Sequence, residues 1–160
     1  MRLFRRAIIA YIFIVAHIIK TQSSPYSAEQ MFDLVANFEH YPDFLPFCSK
    51  ACSRFVGNNQ VHGTLFIHKG PFKKAFTTHN TMYRDAEPAY IDIKLVNGPF
   101  KTLYGEWRFM DNAQGGSQVT LDLCYDMKSG FLTGALSSVF EWIAKAMVES
   151  FCREAHKVYS

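Results

Sequence analysis

No cysteine pair in this chain has the C-x-x-C spacing, no H-E-x-x-H or G-x-S-x-G stretch occurs, and no glycine-rich phosphate loop is present. Those absences exclude the motif-bearing metallopeptidases, serine hydrolases and nucleotide binders, whose chemistry needs those residues at those spacings. A strong charge of one sign is lacking as well: 17 Lys and Arg face 14 Asp and Glu, a formal charge of +3. That excess is too slight to mark a nucleic-acid binder by itself. The four cysteines, Cys48, Cys52, Cys124 and Cys152, do not resemble a small secreted disulfide scaffold. On one strand Cys48 and Cys52 would lie about 13 Å apart at ~3.3 Å per residue, too far for a disulfide or a shared metal. Free thiols in a reducing compartment and no metal site are expected.

Long hydrophobic runs are also missing. The longest apolar stretch, Ala7 to Ala16, follows Arg2, Arg5 and Arg6, and no acid appears before Glu29. Ten apolar residues fall short of the ~20 that span a bilayer, and no A-x-A cleavage site follows. Residues 1–16 are therefore read as an extension in one of three ways: a start placed too far upstream, an uncleaved interfacial anchor, or an imperfect signal peptide. The first is preferred because a strand begins directly after it. The domain proper is expected over 17–160, in the cytoplasm, with a peripheral position on the inner membrane left open.

What the chain does have is aromatic surface: 15 Phe and 8 Tyr in 160 residues, within 49% apolar residues overall. One domain with a sizeable core fits that length. Ile18–Ser23 reads as a short strand, broken by Pro25. Ser27 with Gln30 forms a capping box ahead of Met31, Phe32, Leu34 and Val35, which predicts a helix. Tyr41-Pro42-Asp43-Phe44-Leu45-Pro46-Phe47 is an aromatic turn fenced by prolines, a short second helix or a lid.

From Cys48 to Lys128 the period changes to that of strands, with five turn-forming breaks that delimit six of them. Leu103, Gly105, Trp107 and Phe109 share one face, as do Val119, Leu121, Leu123 and Tyr125, so an antiparallel sheet with one wet face is predicted. From about Leu132 to Tyr159 the period is helical, with Leu136, Val139, Phe140, Ile143, Met147 and Phe151 on one stripe and Glu141/Lys145 and Glu149/Arg153 as i,i+4 pairs. Only the inner face of the sheet is large enough to cover that stripe, so the sheet must curl around the helix. The expected class is α+β, with about seven antiparallel strands around one long C-terminal helix.

Three stretches carry a resemblance: Pro25-Tyr26-Ser27-Ala28-Glu29-Gln30-Met31; Tyr41 to Cys48; and Val96-Asn97-Gly98-Pro99-Phe100-Lys101 running on to Leu103, Gly105, Trp107 and Phe109. With the closing Ala155 to Ser160, they closely resemble the coenzyme Q-binding START-domain family, whose bacterial branch is known as ribosome-association toxins. The similarity runs from about Ile18 to Ser160. It implies a helix-grip fold with two short helices after strand 1, a hydrophobic cavity, and ubiquinone or a related polyprenyl lipid as bound ligand in support of respiration. It also implies a second role, attachment to the large ribosomal subunit and a block of subunit joining. Aromatic polyketide cyclases share the fold, which leaves an enzyme as a third reading.

The residues expected to line the cavity are Phe44, Leu45 and Phe47 from the proline-fenced turn, Phe100, Leu103, Trp107, Phe109, Leu121 and Leu123 from the strands, and Val139, Phe140, Ile143 and Met147 from the helix. Any one of them taken singly is more simply a core residue. No catalytic residue and no catalytic cofactor is expected. His62 and His68 share a strand face but stand about 20 Å apart at ~3.3 Å per residue, too far to share a proton or a metal. Asp122 and Asp126 read as solubilising residues of the outer face. A polyprenyl tail hides roughly several hundred Å² of apolar surface, worth about 25 cal/mol per Å² on burial, and its head group asks for one or two hydrogen bonds. Ribosomal RNA asks instead for a contiguous basic face, and Lys69, Lys73, Lys74, Lys101 and Arg108 look interrupted in sequence. Carriage of ubiquinone without chemistry is therefore the leading expectation, with ribosome association as the alternative.

Overall fold

In the computed structural model, residues 16–128 and 134–160 are described; the apolar run preceding them lies outside. Strand β1 (Ala16–Ser24) buries Ile18 and Ser24 and leaves the residues between in partial contact with solvent. Helix α1 (Ala28–Ala36) starts on the capping box read from the sequence: Gln30 N donates to Ser27 Oγ at 3.1 Å, and Ser27 N donates to Gln30 Oε1 at 2.9 Å. Two of the helix's orphan donors are thereby satisfied. Its apolar side buries Met31, Phe32, Leu34 and Val35. A 3₁₀ turn (Phe38–His40) leads into the one-turn helix α2 (Tyr41–Phe44). Pro42 is tolerated there because the first turn has no use for its missing N–H.

Six strands follow, namely β2 (Cys48–Gly57), β3 (Gln60–Lys69), β4 (Phe72–Tyr83), β5 (Ala89–Asn97), β6 (Phe100–Asp111) and β7 (Ser117–Met127). All neighbours are antiparallel, in the order β1-β7-β6-β5-β4-β3-β2. The N-terminal strand thus closes against the last one, Ile18 opposite Leu123. At the β5–β6 turn Gly98 has φ +153°, and a Cβ there would stand 2.5 Å from Phe76 Cβ, so the turn and the aromatic beneath it require glycine.

Helix α3 (Gly134–Tyr159) lies in the curl of the sheet, as its stripe predicts. Phe140, Ile143, Val148 and Phe151 are buried, while Leu136, Val139 and Met147 are partly buried against the same core. Tyr125 Oη donates across to the Ser137 carbonyl at 3.1 Å, and Tyr159 Oη donates to the Gln30 carbonyl at 2.8 Å, which ties both ends of α3 down. Glu141 and Lys145 pair at 2.9 Å as expected. Glu149 does not pair with Arg153. It reaches Lys20 on β1 at 3.2 Å, because its turn of the helix faces that strand, and Arg153 donates to Ser150 Oγ at 3.1 Å. No described helix is long and apolar enough to cross a membrane.

Candidate functional site

Two aromatic clusters hold α3 to the sheet. Around Phe140 the ring centroids of Tyr125, Phe100, Phe72 and Phe76 lie at 4.7, 4.8, 5.9 and 6.3 Å. Around Phe151 those of Tyr41, Phe44 and Trp107 lie at 5.0, 5.3 and 5.4 Å. The two helix positions are eleven residues apart, about 16 Å of helix at ~1.5 Å per residue. Between them the helix offers Ile143, Ala144 and Met147, and the small Ala144 leaves a gap against the sheet. The gap is a partly open, mostly apolar cavity of about 60 Å³. Small-molecule pockets run to roughly 300–1,000 Å³, so the sequence's aromatics fill most of the tunnel that their abundance suggested. Phe and Tyr supply the wall and the filling alike, and periodicity does not tell the two apart.

Seven of the thirteen expected lining residues meet at this cavity: Leu103, Trp107, Leu121, Leu123, Phe140, Ile143 and Met147. The other six lie off its wall. Phe44 packs on Tyr41 and Phe151, and Phe47 meets the half-exposed Trp142 with centroids 6.0 Å apart. Phe100 belongs to the Phe140 cluster, and Phe109 packs on Phe32 at 5.3 Å. Leu45 is buried in the core and Val139 is packed against it. The proline-fenced turn thus seals the helix from beside the cavity, with only Tyr41 reaching the wall.

The cavity also has a polar spot that the strand pattern did not single out. Thr78 and Asn80, on the inward parity of β4, both line it. Asn80 Nδ2 donates to the Val61 carbonyl at 3.2 Å, to the Thr78 carbonyl at 3.1 Å and to Thr78 Oγ1 at 3.0 Å. Two polar residues at inward positions between Phe76 and Met82 are the signal that was available. Gly63, opposite Thr78, makes room for Phe38, whose ring would stand 3.4 Å from a Cβ there.

Outside the cavity, His62 Nε2 lies 3.0 Å from His79 Nδ1 across the β3–β4 pair. Spacing along one strand placed His68 too far away to be a partner; the partner comes from the neighbouring strand. Asp122 holds His17 at 2.7 Å and Arg108 at 3.5 Å. Asp126, expected on the wet face, is only 6% exposed.

All four cysteines are free thiols, with Cys48 and Cys152 buried. Burial pushes both of these from the ordinary 9.0 up to about 11, so they stay protonated, poor nucleophiles at neutral pH. The unfolded chain ionises these thiols near pH 9.0 and the folded chain near 11. Their contribution to stability is therefore fully present below pH 9 and lost as pH rises toward 11. Urea midpoints measured from pH 8 to 11 should fall less steeply in the Cys48→Ala/Cys152→Ala variant than in the parent. Parallel curves would remove the thiols as a cause of alkaline unfolding.

A model of the family of polyketide cyclase / dehydrase and lipid transport proteins matches residues 24–152. The ribosome association toxin RatA of Pseudomonas aeruginosa is 34% identical over 143 residues, which cover 89% of this chain and 97% of that protein. The protein of the same name from Escherichia coli is 33% identical over 147 residues, 92% of this chain and 91% of the relative. The mitochondrial coenzyme Q-binding protein COQ10 of Dictyostelium discoideum is more distant, 24% identical over 143 residues, 87% of this chain and 68% of the relative. Among solved structures, the Zhui aromatase/cyclase of Streptomyces sp. R1128 superposes with a TM-score of 0.77, covering 89% of this chain and 94% of the other. At 18% identity that likeness is one of fold.

Proposed function

The chain belongs to the polyketide cyclase / dehydrase and lipid transport family, and within it we propose that the chain is a ribosome-association protein that attaches to the large ribosomal subunit and hinders subunit joining, without chemistry of its own. The observation that carries this reading is the 34% identity to a relative named ribosome association toxin, sustained over 97% of that relative's length. The matched stretch also takes in 89% of this chain. The size of the cavity supports it: at about 60 Å³ it is too small for an aromatic polyketide or a polyprenyl tail without a rearrangement of α3. The buried cysteines, held protonated, offer no activated nucleophile.

Carriage of an apolar lipid stands as the second reading, favoured by one feature, the Thr78–Asn80 pair set in an apolar wall where a head group would find a hydrogen bond. A single set of preparations tests both. Purified protein added to separated 30S and 50S subunits should lower the 70S peak on a sucrose gradient and co-sediment with 50S. An unchanged 70S peak with no co-sedimentation would sink the ribosome reading. Organic extraction of the same protein, with quinone analogues added in a melting assay, addresses the lipid: neither a passenger nor a rise in melting temperature is expected if the cavity keeps this size.

A further inference from the structure

The outer face of the sheet is divided electrically, in a way that composition conceals. From Phe44 to Arg84 no Asp or Glu occurs, while Lys50, Arg54, Lys69, Lys73, Lys74 and Arg84 do. The register then aligns side chains that sequence order separates. Arg54 stands opposite His62, His62 opposite His79 and His79 opposite Lys94, one row across β2, β3, β4 and β5. That row is about 14 Å long at ~4.8 Å per strand. A second row, His68 opposite Lys73, lies about 20 Å further along β3 at ~3.3 Å per residue.

Between the rows sit hydroxyls and one ring: Thr64 Oγ1 and Thr77 Oγ1 at 2.7 Å, and Phe66 with Lys50 Nζ 5.4 Å from its centroid. No described carboxylate forms an ion pair with Lys50, Arg54 or Lys73, and Lys94 has only Asp92 at 3.9 Å. On the other half of the same face Arg108 stands between Glu106 at 3.6 Å and Asp122 at 3.5 Å, and His17 lies on Asp122.

We propose that the outer face of β2, β3 and β4 is a docking surface for the phosphate backbone of an RNA duplex, with Lys50, Arg54 and Lys73 as its phosphate contacts. The proposal rests on the ribosome reading above and names the surface and the chemistry that the reading lacks. Each row carries one uncompensated cation, Arg54 in the first and Lys73 in the second, with Lys50 and the hydroxyls between them, an arrangement that suits phosphates on the two sides of a groove and the 2′-hydroxyls within it. A single strand is a poorer fit, because its bases need free aromatic platforms. Phe66 already lies under Lys50, and Tyr83 is stacked on Tyr90 at 4.4 Å. The His62–His79 pair, bonded ring to ring, adds an N–H donor. His62 is held below its ordinary value by desolvation and then by His79 and Arg54, which keeps it neutral near pH 7.

The test uses the full chain and a fluorescent 20-base-pair RNA duplex across a KCl titration, with Lys50→Gln/Arg54→Gln/Lys73→Gln as the variant and Arg108→Gln as the control. Matching melting curves first establish that each protein is folded. The triple variant should bind at least tenfold more weakly at about 0.1 M salt, and its slope of log K against log [KCl] should be shallower by about two to three. The control, whose charge is already balanced, should stay within about twofold. Gradient co-sedimentation with 50S runs alongside. If parent and triple variant co-sediment equally, this face is not the docking surface and the ribosome reading stands. If the parent binds the duplex through these residues but never a subunit, the face stands and the ribosome reading falls. If phosphatidylglycerol vesicles, and not RNA, bind with the same residue dependence, the surface is a membrane face and the RNA assignment is overturned.

Discussion

Gly105→Ala is expected to cost about 4 kcal/mol or more, enough to abolish cooperative folding in a domain of ordinary stability, about 5–15 kcal/mol. A Cβ on Gly105 would stand 2.1 Å from the carbonyl oxygen of Asp122 and 2.9 Å from Leu123 Cα. Both are main-chain atoms, so no rotamer change relieves the clash, and strands β6 and β7 must part. Those strands carry Leu103, Trp107, Leu121 and Leu123, part of the sheet side of the cavity. They also join β1, through β7, to the rest of the sheet. Urea unfolding followed by tryptophan fluorescence measures the effect, and a cooperative transition displaced by less than about 1 kcal/mol would contradict it. Gly105 occupies an inward position between Leu103 and Trp107, where the alternation calls for a large apolar residue. A glycine there marks a close approach of backbone.

That glycine illustrates what could and could not be read from sequence. Most local rules held: the Ser27–Gln30 box, the six strands between Cys48 and Lys128, and the helical stripe from Phe140 to Phe151 depend on neighbours a few residues apart, whereas the Glu149–Arg153 pair gave way to a contact with Lys20 on β1. The curl of the sheet around α3 was legible too, since no other surface could cover the stripe. The cavity was legible only as a place. Whether Phe100 and Phe140 border a space or fill it depends on how rings from several elements interdigitate, and here they leave about 60 Å³. The basic face was hidden for a different reason. Lys50, Arg54, Lys73 and Lys94 are scattered along the chain and share a surface only through the register of β2 to β5. The same register joined His62 to His79 and left the spacing within one strand uninformative.

Phe140→Ala should lower stability by about 3–5 kcal/mol, or about 6–20 °C of melting temperature in a domain this size, because its ring is shared by Tyr125, Phe100, Phe72 and Phe76. Phe140 lines the existing cavity, so the truncation enlarges an apolar space that is already there, and such a space stays dry and takes up small apolar molecules. Toluene should therefore raise the melting temperature of Phe140→Ala and leave that of the parent unchanged. Phe140→Leu, which nearly conserves volume, should cost less than about 1.5 kcal/mol. The two variants divide the functional readings, since neither touches the outer sheet face. If the protein acts on the ribosome through that face, Phe140→Leu should hinder subunit joining as well as the parent does, and Phe140→Ala should do so at any temperature well below its melting point. If an apolar ligand held beneath Phe140 is what the protein delivers, both variants should change ligand uptake while their folds remain intact. Loss of the subunit effect in a folded Phe140→Leu protein would place the ribosome contact at the cavity end of the molecule and count against the outer sheet face.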